Sequence, residues 1–167
     1  MAIMYALKSS DNEIFEVEQK VIEQSETIKK MIEDGAATGE IPLQVSSKTL
    51  AKVLEWCKQR QHKTVENEND DNKGKRKKER DEDDDIKEWE NKFSDELKAD
   101  KDVLFDLLLA SNYLDLPALL SFLCQLVADM VAGKMPEEIR RMFNIENDFT
   151  PEEEKAITAE HGWAFQP

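Results

Sequence analysis

Residues 102–131, DVLFDLLLASNYLDLPALLSFLCQLVADMV, are the densest apolar run of this 167-residue chain, and their spacing decides how the rest is read. Leu104, Leu107, Leu108 and then Tyr113 or Leu114 recur at helical intervals, and Leu119, Leu120, Leu123, Val127, Met130 and Val131 do so again beyond Asp115-Leu116-Pro117. The interruption predicts two helices. Asp115 is read as the cap of the second, and Pro117 as a first-turn residue, where a missing N–H is harmless. Gly133 is read as its stop.

Both predicted helices are apolar around more than half their circumference, whereas a surface helix needs one stripe of about 100°. A membrane span would need about 18 to 20 uninterrupted apolar residues, and Asp106, Asn112, Asp115, Gln125 and Asp129 break every such window. The pattern therefore predicts a buried helical hairpin. One face packs on its own domain and the other on more chain or on a partner.

Before this hairpin, two short apolar runs at 3–7 and 13–17 flank the turn-forming KSSDN and read as a β-hairpin. Ile28, Met31 and Ile32 follow the potential cap Ser25 at helical spacing, and Asp34-Gly35 ends that helix. EIPLQ at 40–44 reads as a third short strand, confined by Pro42 to an edge or a strand start. Ser46 or Ser47 caps a further helix carrying Leu50, Val53, Leu54 and Cys57. Residues 1–60 are thus a small α/β unit. Residues 61–85 hold Val65 as their one aliphatic residue before Ile86 and are expected to be disordered, because they cannot bury enough surface to offset ordering entropy. Their KGKRKKER run at 73–80 reads either as a solvated, self-neutralising loop or as a nuclear-localisation or polyanion-binding segment. Ile86, Trp89, Phe93 and Leu97 restart folded structure, which runs through 132.

The remainder, 133–167, carries two short helices with explicit start signals, PEEIRR from Pro136 and TPEEE from Thr150. In the second, Thr150 and Glu153 form a capping box with Pro151 first. Ile139, Met142, Phe143, Ile145, Phe149, Ile157, Trp163 and Phe165 are more apolar surface than two such helices can hide between themselves. They either fold back on the domain or line a groove for a partner.

Composition narrows the chemistry. A formal charge of −14 argues against an ordinary phosphate-binding surface, so no nucleic-acid partner is expected. No basic start followed by an apolar run marks a secretory signal, and Cys57 and Cys124, far apart and inside apolar helical patterns, read as reduced core thiols of a cytoplasmic or nuclear protein. His62 and His161 are the only histidines, and the five glycines form no phosphate-cradling loop. The acidic clusters lack the calcium-loop pattern. A non-enzymatic binding module without cofactor or metal is expected.

Several segments together resemble the Skp adaptor family of SCF (Skp, cullin, F-box) ubiquitin ligases: KSSDNEIFEV at 8–17, LEWC at 54–57, SNYLDL at 111–116, GKMPEEIR at 133–140, FNIENDFTPEEE at 143–154 and GWAF at 162–165. The likeness covers the chain apart from the polar stretch. It implies an α+β, mostly helical BTB/POZ fold, three short strands with helices, followed by a C-terminal helical extension. It implies a non-catalytic adaptor that bridges the cullin scaffold to the F-box of a substrate receptor for ubiquitination and degradation. Asn112 and Tyr113 match the family's cullin-contacting pair. The F-box groove would take Leu120, Cys124 and Val127 from the hairpin, and Ile139, Phe143, Ile145, Asn147, Phe149 and Trp163 from the extension. Ser111 and Met135 depart from the alanine and threonine common at those places in the family.

Overall fold

A computed structural model of the protein describes residues 3–35, 39–64 and 75–165. Alternation at the amino end produces β1 (Met4–Lys8) and β2 (Ile14–Glu18), antiparallel, reversed through Asn12 in a left-handed conformation. β3 (Glu40–Pro42) pairs parallel with β1, giving the order β2-β1-β3. Pro42 therefore lies on an edge, as a residue without an N–H requires. A parallel return needs a crossover. Here it contains α1 (Gln19–Ile22) and α2 (Glu26–Glu33), with Ser25 capping α2 by accepting from the Ile28 N–H at 3.2 Å. Leu7, Val17 and Ile41 form the buried face of the sheet.

Helix α3 (Ser47–Thr64) starts at a doubly fixed end. Ser46 Oγ accepts from the Thr49 N–H at 3.4 Å, and Asp11, from the β-turn, accepts from the Ser47 N–H at 2.7 Å and from the Ser47 hydroxyl. Those donors, the Ser47 hydroxyl foremost, lower the Asp11 acid from 3.8 to about 2. Helix α4 (Lys75–Ala99) corrects the expectation for 61–85. Helix enters that stretch from both sides, through 64 and from 75, while residues 65–74 lie outside the described residues. Once Phe93 and Leu97 are buried, each added residue gains a hydrogen bond without a new nucleus, and Lys, Arg and Glu extend helices readily.

The quoted apolar run forms α5 (Lys101–Tyr113) and α6 (Pro117–Val131), as the spacing predicts. The link between them differs from expectation. Asp115 is not the cap of α6: it stands past the end of α5 at φ 50°, with its N–H on the Asn112 carbonyl at 3.2 Å and the Leu116 N–H on Ser111 at 2.9 Å. That is a Schellman closure, and reversing the chain this tightly demands a left-handed residue, a conformation Asp tolerates better than most. The carboxyl end of α5 then receives the amino end of α2. Glu26 and Thr27 N–H groups donate to Asp115 and Leu114 carbonyls at 3.2 and 3.4 Å, and the Thr27 hydroxyl to Tyr113 at 3.0 Å. The Ser25 hydroxyl adds a bond to Leu114.

Leu104, Leu107, Leu114, Leu119 and Leu123 are completely buried. Beside them Trp56 of α3 meets Trp89, Phe93 and Phe122 at ring separations of 5.9, 5.8 and 4.6 Å. Two cations clamp α3 to α4: Lys52 reaches Glu96 at 2.7 Å, and Arg60 lies 4.7 Å over Trp56 while reaching Glu90 at 2.8 Å. These elements belong to one compact unit, Met1–Leu126, and Val127–Pro167 forms a second. In the second, α7 (Pro136–Phe143), α8 (Pro151–Glu160) and a 3-10 turn (Gly162–Phe165) follow Gly133, which takes a left-handed φ of 70°. The Thr150 capping box is present, at 3.2 Å from Glu153 N to Thr150 Oγ1 and 2.8 Å from Thr150 N to Glu153 Oε2. Glu138 caps α7 in the same way through the Met135 N–H at 2.8 Å, although Met135 offers no oxygen in return.

The Asp11 cap carries a pH signature. A carboxyl whose folded value is depressed stabilises above its unfolded value, and that stabilisation disappears as pH falls through the folded one. The stability of the protein relative to Asp11→Asn should therefore hold steady above pH 3.8 and shrink to nothing near pH 2, as urea titrations across that window would show.

Candidate functional site

The first surface is the outward side of α5. With Leu104, Leu107, Ala110, Ser111 and Leu114 turned inward, Phe105, Leu109 and Tyr113 recur at i, i+4 and i+8 on the other side. Leu109 is 71% exposed, an apolar side chain of the quoted run left in water. Asn112 is exposed next to it. Tyr113 is held at both ends: its carbonyl takes the Thr27 hydroxyl, and its phenol oxygen accepts from the Gln44 N–H at 3.3 Å. Between them lies a notch of about 370 Å³ lined by Gln44, Val45, Ser46, Thr49, Asp106 and Leu109, closed by Ala110 and Tyr113. Asn112 and Tyr113, neighbours in sequence, are both exposed at the end of this helix. Leu109, Phe105 and the notch were not singled out from the sequence, although the 105/109/113 spacing was there to be read.

Of the other predicted contacts, Leu120, Cys124 and Val127 share one face of α6 by their spacing. Leu120 and Val127 are half-buried and Cys124 is exposed, which corrects its reading as a core thiol. Apolar neighbours along a helix show that a cysteine lies near a core-facing stripe, not that it lies within it. Cys57 does lie in the core, where burial pushes its thiol up to about 12. At mild alkaline pH a thiol reagent should therefore label Cys124 in the native protein and Cys57 only after denaturation; equal labelling rates would contradict this assignment.

The extension is built differently. Neither α7 nor α8 has a buried residue. Ile139 and Phe143 are half-buried, and Ile145, Phe149 and Trp163 are exposed, Trp163 by 79%. Asn144, in a left-handed conformation, ends α7 and turns the chain so that the Ile145 N–H returns to Arg140 at 2.8 Å. Asn147 braces the segment that follows: its amide donates to Glu154 at 2.7 Å and its oxygen accepts from the Phe149 N–H at 3.2 Å. Arg140 approaches Glu137 and Glu154 at 3.7 and 3.9 Å. An apolar hollow of about 690 Å³ opens between α7 and α8, with Met135, Pro136, Phe149, Pro151 and Ile157 in its walls. Among the described residues no group of His, Cys, Asp and Glu is arranged to hold a metal ion, and no helix is long and apolar enough to cross a membrane.

A small α/β domain with an apolar helical stripe, followed by short helices that leave large aromatics uncovered, has the build of a protein-binding module. Comparison with known proteins makes the class specific. The model described as Skp1 family, tetramerisation domain matches residues 4–62, and that described as Skp1 family, dimerisation domain matches residues 117–164. SKP1-like protein 1 of Oryza sativa subsp. japonica is 56% identical, covering 98% of this chain and 95% of that protein. SKP1-like protein 1A of Arabidopsis thaliana is 48% identical over 96% of each chain. Suppressor of kinetochore protein 1 of Schizosaccharomyces pombe is 47% identical over 95% of each. The chain belongs to the Skp1 family, with its BTB/POZ-like domain, and is an SCF adaptor subunit linking cullin and F-box proteins, not a catalytic subunit of the ligase.

Proposed function

We propose that the two surfaces divide the adaptor's work, the α5 stripe taking the cullin and the extension, with the outer face of α6, taking the F-box. Asn112 and Tyr113 give the cullin contact its polar and aromatic anchors, and Leu109 adds the apolar centre that such patches need. Leu120, Cys124 and Val127 on α6, and Ile139, Phe143, Ile145, Phe149 and Trp163 in the extension, meet the receptor's F-box. Asn147 acts chiefly by bracing the segment that presents Ile145 and Phe149. The observation that carries this division is the 79% exposure of Trp163 on an extension whose helices hold no fully buried residue. A large aromatic in water gains most from being covered.

The chain itself makes and breaks no bond in this reading. It raises the effective concentration of a bound substrate near the ubiquitin-charged enzyme that the cullin carries. No cofactor, nucleic acid or membrane takes part. The working compartments are the cytoplasm and nucleus, where thiols such as Cys57 and the exposed Cys124 stay reduced.

Co-purification with an F-box segment and, separately, with a cullin amino-terminal domain tests the division. Trp163→Ala should weaken F-box binding by about 2 kcal/mol or more while leaving the cullin bound. Asn112→Lys with Tyr113→Lys, and independently Leu109→Glu, should release the cullin and keep the F-box. Binding of both partners that disappears at moderate salt and ignores Trp163 would instead mark a surface working by charge alone.

A further inference from the structure

The sheet has two edges, and they are built differently. β3 is three residues long and carries Pro42, which has no N–H to offer an incoming strand. β2 is five residues long, IFEVE, with neither proline nor glycine. At the two ends of the β1–β2 ladder, the Ser9 N–H donates to Glu13 and the Gln19 N–H to Ile3, both at 2.9 Å, which fixes its phase. Phe15 and Val17 exchange backbone bonds with Leu7 and Tyr5, so Ile14 and Glu16 turn their N–H and C=O groups outward. β2 is the end strand of the sheet, and among the described residues no strand receives those groups.

The side chains of that edge are equally specific. Ile14, Glu16 and Glu18 register with Lys8, Ala6 and Met4 on the face opposite buried Leu7 and Val17. Met4 and Ile14 are each 52% exposed there. Lys8 is committed to Glu40 at 3.1 Å, whereas Glu16 and Glu18 have no cation within ion-pair distance among the described residues. The strand thus shows an apolar residue followed at two-residue steps by two uncompensated carboxylates.

We propose that the β2 edge is a docking strand for an extended segment of a partner protein, with basic side chains at alternate positions next to an apolar one. The backbone groups of Ile14 and Glu16 extend the ladder, Glu16 and Glu18 pair with the partner's lysines or arginines, and Ile14 packs on its apolar residue. Charge disfavours a second copy as the occupant. Antiparallel pairing of β2 with itself about Glu16 would set Glu16 against Glu16, and like charges directly opposite are destabilising. No residue of the proposed cullin and F-box surfaces is used, so the inference stands or falls independently of them.

The test uses the full chain and a short peptide alternating lysine and threonine with one valine. Binding should slow hydrogen exchange at the Ile14 and Glu16 amides. N-methylation of the peptide along one edge should abolish binding, while methylation along the other should not. Glu16→Pro removes the outward N–H together with the carboxylate and should abolish binding with the fold intact by circular dichroism, whereas Glu16→Gln, which removes the charge alone, should only weaken it. Glu16→Lys with Glu18→Lys, which leaves the backbone edge untouched, should weaken binding about tenfold. The proposal is overturned if the alternating peptide does not bind, or if one with the same lysines in a block binds equally well. It is equally overturned if Glu16→Pro binds unchanged, or if the Ile14 and Glu16 amides become protected simply by raising the concentration of the chain.

Discussion

The junction between the carboxyl end of α5 and the amino end of α2 is the contact on which the first unit depends. A helix end leaves backbone groups without partners, and burying them unsatisfied would cost more than the surrounding leucines could recover. Here the free N–H groups of α2 meet the free carbonyls of α5, and the two dipoles attract end to end. Asp115 makes this possible by closing α5 in a left-handed turn. The same closure fixes Tyr113 between Thr27 and Gln44, so the residue proposed for the cullin contact is held by bonds that the fold needs anyway.

The two surfaces proposed as contacts rest on different physics. The α5 stripe is the back of a helix whose other side is wholly buried, so its shape is set before any partner arrives, and little ordering is lost on binding. The extension has short helices, each started by strong local signals and neither burying a residue. Capping boxes, first-turn glutamates and the Asn147 brace supply locally what a core does not. Such a segment folds well enough to hold Phe149 and Trp163 in water, where the proposed receptor contact would cover them.

The acidic balance of the chain acts selectively. Where opposite charges tie elements together, as Lys52 and Arg60 tie α3 to α4, they sit beside aromatic rings that shield them partly from water. On the outer face of the sheet Lys8 pairs with Glu40, while Glu16 and Glu18 stand without a cation among the described residues.

Much of this was legible without coordinates. The hairpin, the edge strand with Pro42, the caps at Ser25 and Thr150 and the two leucine helices all depend on neighbours a few residues away, and local chemistry is what a sequence states directly. So did the family, carried by motifs from the first strand to Trp163. Three features were not legible: which flank of α5 stays open at Leu109, that Cys124 faces outward, and that Asp115 closes one helix and does not cap the next. Periodicity places residues around a helix relative to one another, but a helix apolar on most of its circumference does not say on which side the rest of the chain will lie. Only packing against α3 and α4, and the end-to-end meeting with α2, made that choice, because burial is decided by residues distant in sequence.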